Sequence, residues 1–149
     1  MLLWRISNHS SLDGRGGLLA SGRWHTRGRP VVYLAESAAG ALLEALVHLE
    51  LDYNNFPESY GLLKSEAPDT VRPQNLNVNK LPDDWVNDQV TTRTAGDEWL
   101  AANQGALLRV PSAIVPETGN VLLNPEHSDA RKIRVLSYRP YPWDLRLLS

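Results

Sequence analysis

The sequence predicts an α+β fold built as one compact domain over residues 1–149, on three observations. Short apolar runs with β-branched and aromatic residues recur along the chain, only a few helix-like segments lie among them, and the two do not alternate regularly. Regular alternation would indicate a doubly wound parallel sheet, whereas scattered strands and few helices indicate small mixed sheets of the α+β class. The length of 149 residues suits a single core, and no internal repeat or shift in composition marks a second domain.

Each element has its own signal. Leu2 to Ile6 is a short apolar run broken by Arg5 and reads as a first strand. Asn8 to Gly22 carries Gly14, Gly16, Gly17 and Gly22 among Ser, Asn and Asp, and reads as a loop. A loop of that length inside a compact domain is usually functional. The turn Gly28-Arg29-Pro30 leads into Val31 to Leu34, a strand by its β-branched and aromatic content. Ser37 is a good N-cap, because its hydroxyl can accept from an orphaned first-turn amide. From Ala38 to Leu51 the spacing predicts a helix with Leu42, Ala45, Leu46 and Leu49 on one face, and Glu44 roughly opposite that stripe.

Tyr53 to Ser59 reads as a turn and Tyr60 to Ser65 as a strand. Pro82 and the acidic residues after it make Leu81 to Trp85 resemble a helix entry. A helix is expected over Thr94 to Asn103, followed by strands at Ala106 to Val110, Val121 to Leu123 and Ile133 to Tyr138.

Composition narrows the function. The chain is 42% hydrophobic and 21% charged, as expected for a packed core. A net charge of −2 with scattered cations gives no support for a nucleic-acid surface. Lysine occurs only at Lys64, Lys80 and Lys132, and the bias to arginine favours planar, bidentate recognition of anions. The absence of cysteine excludes disulfides, thiolate metal sites and cysteine nucleophiles. His9, His25, His48 and His127 have no paired metal-ligand spacing, so no metal is expected. The first residues do not read as a signal peptide, and no apolar run approaches the roughly 18 residues of a membrane span. A cytoplasmic protein without a membrane partner is the expectation.

Four side chains are candidates for chemistry. Arg23 ends the glycine-rich stretch, where its guanidinium fork suits a phosphate, or equally stacks on Trp24 or pairs a carboxylate. The neighbouring glycines match neither the G-x-G-x-x-G dinucleotide fingerprint nor the phosphate-loop pattern. Tyr33 reads as a half-buried core tyrosine or as a ring stacked on an aromatic leaving group. Glu44 reads as a solvated helix carboxylate near His48, or as the group that stabilises an oxocarbenium-like ribose or activates its attacker. Ser112 follows a strand but lacks the G-x-S-x-G elbow of a hydrolase nucleophile, so it suits ligand hydrogen bonding better.

Taken in order, Gly22-Arg23-Trp24, Gly28, Val32-Tyr33, Ala41-Leu42-Leu43-Glu44-Ala45-Leu46-Val47-His48, Val110-Pro111-Ser112, Asn120 and Leu123-Asn124-Pro125-x-His127 resemble the RES domain family, named for an arginine, a glutamate and a serine. The likeness runs from Trp4-Arg5 to about His127. It departs at His25, where members often carry Asn followed by Pro.

The resemblance implies a fold similar to the diphtheria-toxin-like ADP-ribosyltransferases. It also implies a toxin that degrades NAD+ by hydrolysis or phosphorolysis of the nicotinamide–ribose bond. NAD+ would then be substrate, with inorganic phosphate a possible co-substrate and no prosthetic group. The implied partner is an Xre-like helix-turn-helix antitoxin, in a higher-order toxin–antitoxin complex. Carried onto this chain, Arg23 would hold the dinucleotide, Tyr33 would line the nicotinamide side, Glu44 would stabilise the ribosyl cation or orient the nucleophile, and Ser112 would hydrogen-bond nicotinamide or ribose. Arg5 and Asn124 are further binding candidates. Two other functions fit the same residues: an ADP-ribosyltransferase acting on a protein, and a catalytically inactive binding module.

Overall fold

Alternation of buried and exposed side chains and short β-branched runs give seven strands, and three α-helices lie between them in a computed structural model that describes residues 1–49 and 59–148. In chain order they are β1 (Leu2–Ser7), α1 (Arg15–Leu19), β2 (Val32–Ala35), α2 (Ala38–His48), β3 (Gly61–Glu66), β4 (Gln74–Asn75), α3 (Gln89–Ala102), β5 (Leu107–Pro111), β6 (Gly119–Leu123) and β7 (Arg134–Pro140). The strands run in the order β4-β5-β6-β2-β1-β3-β7. Every neighbouring pair is antiparallel except β4 and β5, so the sheet is mixed and the α+β expectation holds.

The sheet is two small sheets joined at a point. β1 pairs with β3 from Leu2↔Glu66 to Ser7↔Gly61, and β2 pairs with β6 from Val32↔Leu123 to Ala35↔Asn120. Between β1 and β2 the register holds one pair only, Trp4↔Ala35. Past it, backbone amides no longer bind the two halves, and side chains must fill or line the gap.

Residue parity sorts the core onto two faces. Leu3, Val32, Leu34, Leu107, Val121, Leu123 and Ile133 form one cluster, closed by Ala67, Val71 and Ala106. The opposite face carries two clusters. One gathers Trp24, Val31, Leu100, Leu108, Val110 and Leu122 against α3, and the other gathers Ile6, Ala35 and Leu62 under Ala41 and Ala45 of α2.

Several elements differ from the sequence expectation. The loop from Asn8 to Gly22 contains α1, a five-residue helix fixed by tertiary ties: the Gly28 amide donates to the Gly17 carbonyl at 3.1 Å. Ser37 caps α2 as expected, accepting from the Gly40 amide at 2.9 Å. α2 ends at His48 rather than Leu51, with Leu49 as its C-cap, and the expected turn from Tyr53 falls outside the described residues except at Ser59. Its buried side is Ala41 and Ala45, with Ala38, Leu42 and Leu49 partly buried.

α3 starts at Gln89, five residues before the expected Thr94, because Asp88 caps it by accepting from the Thr91 amide at 3.1 Å. Leu81 to Trp85 gives a turn and a short 3₁₀ segment, Trp85–Asn87, and no α-helix. Gly96 of α3 lies against the Trp24 carbonyl so closely that a Cβ would overlap it. This close packing fixes α3 over the segment that carries Arg23.

Candidate functional site

The gap opened beyond the Trp4↔Ala35 pair is a cavity of about 470 Å³. Arg5 of β1, Arg23, Tyr33 of β2, Glu44 and His48 of α2, and Asn120 of β6 line it among others. Four of the six residues expected at the site therefore meet at one cavity: Arg5, Arg23, Tyr33 and Glu44.

Glu44 is placed by its helix and fixed by the sheet. Ala41 and Ala45 pack α2 onto Ile6, Ala35 and Leu62, which turns the intervening position toward the gap. Its Oε1 accepts from the Ser112 hydroxyl at 2.8 Å and from the Asn120 side-chain amide at 2.9 Å. Among the described residues its Oε2 accepts from no one. One oxygen is anchored, and the other is left to a ligand.

Ser112 does not meet the cavity. It is fully buried, and its Oγ accepts from the amides of Ile114 (3.1 Å) and Val115 (3.3 Å), which directs its one proton to Glu44. The expectation that Ser112 hydrogen-bonds nicotinamide or ribose is corrected by this geometry, because a hydroxyl so engaged has no donor left for a ligand. Asn124 is likewise away from the cavity. It is buried at the end of β6, donating to the Asn103 side chain at 2.9 Å and accepting from the Glu126 amide at 3.1 Å. Both of its side-chain bonds brace the surrounding chain, so the expected binding role is not supported by its position.

Arg23 is held from behind. Its Nη1 donates to the Val86 carbonyl at 2.9 Å, and its own carbonyl accepts from the Thr92 hydroxyl at 2.6 Å. Arg93 of α3 donates through Nε to the Gly22 carbonyl at 2.8 Å, and the Asp97 carboxylate accepts from the Thr26 amide and hydroxyl at 2.9 and 2.7 Å. The guanidinium has N–H donors left over, since only Nη1 is engaged within the described residues.

The Arg5 guanidinium makes no hydrogen bond or ion pair with any described residue. Burial lowers its pKa, an effect that nearby Asp13 opposes, yet a guanidinium stays charged in a protein. A half-buried guanidinium whose donors no described residue accepts favours an anion in the cavity.

Tyr33 is fixed by His25, which carried no assigned role in the sequence reading. His25 Nε2 lies 3.2 Å from the Gly17 carbonyl, an acceptor, so Nε2 carries the proton. In the neutral ring Nδ1 then accepts, and the Tyr33 hydroxyl, 2.7 Å away, donates to it. The same hydroxyl accepts from the Trp24 amide at 3.1 Å. Burial raises the Tyr33 pKa well above its ordinary value, the Trp24 amide opposing, so the phenol stays neutral. With its proton engaged, Tyr33 offers the cavity its ring and not an acid. Gly22 is required here, because a Cβ at that position would strike the Tyr33 hydroxyl.

Asn120 belongs to the motif series that resembles the RES family but was assigned no part in the site, although it holds Glu44. The motif marks the position, but the bond to Glu44 spans 76 residues and has no local signal. No group of three or more His, Asp or Glu side chains suited to a metal occurs among the described residues.

The fold and the cavity together define an α+β protein with a largely apolar cleft, set with a few charged side chains, at a splayed sheet junction. The profile of the RES domain matches residues 2–144, and the chain belongs to that family. It is 49% identical to Toxin Res of Pseudomonas putida over 94% of this chain and 97% of that protein. It is 38% identical to Toxin Res of Photorhabdus laumondii over 100% and 98%. A third relative, the Prs ADP-ribosylating toxin of a Sphingobium species, is 34% identical over 97% and 95%. The fold is similar to that in the crystal structure of the Mycobacterium tuberculosis MbcT–MbcA toxin–antitoxin complex, with a TM-score of 0.75 and 16% identity, covering 94% of this chain and 83% of the other.

Proposed function

We propose that this chain is the toxin of a toxin–antitoxin pair and that it cleaves the nicotinamide–ribose bond of NAD+ in the cytoplasm. The observation that carries the reading is the asymmetry of Glu44, which lines the cavity with Oε1 tied to Ser112 and Asn120 and Oε2 without a hydrogen bond among the described residues. Nicotinamide leaves with the bonding electron pair, which neutralises its ring nitrogen, and positive charge passes to the ribose. A carboxylate oxygen at that place stabilises the transition state more than the ground state. Water or inorganic phosphate then adds at the ribose carbon.

Arg23 and Arg5 supply donors for the pyrophosphate, and the Tyr33 ring stacks on nicotinamide. Ser112 acts through Glu44. The names of the relatives as Toxin Res support a toxin role, and the solved complex supports an antitoxin as partner, for which an Xre-like helix-turn-helix protein is the proposed type.

Purified protein incubated with NAD+, with and without phosphate, should release nicotinamide; no release in either condition would sink the reading. A second reading is favoured by the name of the Sphingobium relative: transfer of ADP-ribose to a protein. NAD+ labelled in its adenylate half separates the two, because transfer leaves label on protein and degradation leaves it on a small molecule.

A further inference from the structure

The anchoring of Glu44 comes from β6 and from the residue after β5, segments far from it in sequence. Ser112 directly follows β5, and Asn120 is the second residue of β6, paired with Ala35 on one side and Val110 on the other. Both donors meet the same oxygen, at 2.8 and 2.9 Å. A single donor would leave the carboxylate free to swing about that bond, whereas two donors from separate strands fix its plane. The orientation of the asparagine follows from chemistry, because an ionised carboxylate only accepts and the amide NH₂ must therefore face it.

We infer that Asn120 is a positioning residue for Glu44, its amide holding Oε1 so that Oε2 is the oxygen presented to the cavity. The residue type matters as much as the place. Aspartate has nearly the shape of asparagine but would set a second carboxylate against Oε1, and two carboxylates sharing a site retain a proton to higher pH. Asparagine supplies a donor there without charge. The kinetic consequence rests on the proposed NAD+ cleavage, whereas the hydrogen bond itself does not.

The test has two arms on the full chain. In the first, steady-state NAD+ cleavage is measured for Asn120→Ala and Asn120→Asp, with melting curves to confirm that each is folded. Loss of a hydrogen bond to a charged group should lower kcat at least about tenfold while KM changes little. Asn120→Asp should in addition move the acid limb of the pH–rate profile upward by about one unit or more. In the second arm, the Asn120 side-chain amide signal in a ¹⁵N–¹H spectrum should shift on Glu44→Gln by more than the other asparagine side chains do. Wild-type kcat and pH profile in both folded variants, or an Asn120 amide unmoved by Glu44→Gln, would overturn the inference. A wild-type protein that releases no nicotinamide would instead remove the proposed function, and the amide signal would still decide the role of Asn120.

Discussion

The two faces of the sheet are built for different ends. On one, a continuous cluster from Leu3 through Val121 and Leu123 to Ile133 is apolar and closed. On the other, the apolar side chains divide into a Trp24–Leu122 cluster under α3 and an Ile6–Ala45 cluster under α2, with the cavity reaching both. A cavity with two guanidinium groups and an unpartnered carboxylate oxygen is costly to hold open in a folded chain. The closed face supplies unbroken burial, and the divided face is free to be polar where it lines the cleft. Residue parity thus puts the closed core and most of the cleft on opposite sides of the same strands, as with Val121 and Leu122 of β6, while Arg5 shares the parity of Leu3.

Substitutions can break this separation or sharpen it. The largest expected effect on folding is at the closed face. Leu123→Ala removes a side chain that is 1% exposed and should cost about 2–5 kcal/mol in urea unfolding, while NAD+ cleavage per folded molecule stays near wild type. Glu44→Gln should do the reverse, lowering the cleavage rate by about two to three decades with little change in melting temperature. Equal losses of both properties in either variant would show that the faces are not independent.

Thr92→Val lies between these extremes. It deletes the fully buried hydroxyl that donates to the Arg23 carbonyl, and should cost about 1–3 kcal/mol of stability and also raise KM for NAD+. The smallest effect belongs to Arg134→Ala on the outer strand β7, where the pair with Glu66 is exposed. Less than about 0.5 kcal/mol is expected there, measured by thermal unfolding.

The parts legible in the sequence were those with local causes. β2 follows from the Val31 to Leu34 run, and the start of α2 from the Ser37 cap. The early start of α3 was illegible because Thr91, Thr92 and Thr94 are weak helix formers. Two of its buried positions are Thr92 and Gly96, and these pack on the backbone around Trp24 rather than on a leucine-rich core. Nothing near in sequence announces such packing. The candidate site divides the same way. Arg23, Tyr33 and Glu44 could be named by residue type and motif, but the burial of Ser112 and the bond from Asn120 depend on contacts across 68 and 76 residues. The same distance concealed that Asn124 braces Asn103, 21 residues away, instead of reaching the cavity.

The strand order also bears on the timing of assembly. Among the described residues β2, which carries Tyr33, has β6 as its only extended partner and touches β1 at a single rung. A chain growing from its N-terminus has therefore displayed Arg5, Arg23, Tyr33 and Glu44 long before anything can dock β2 into a sheet. Only when residues 119 to 123 are present can β6 lie between β5 and β2 and bring Asn120 to the carboxylate. A nascent chain that ends before β6 therefore holds most of the polar side chains of the cleft but not the strand that completes it.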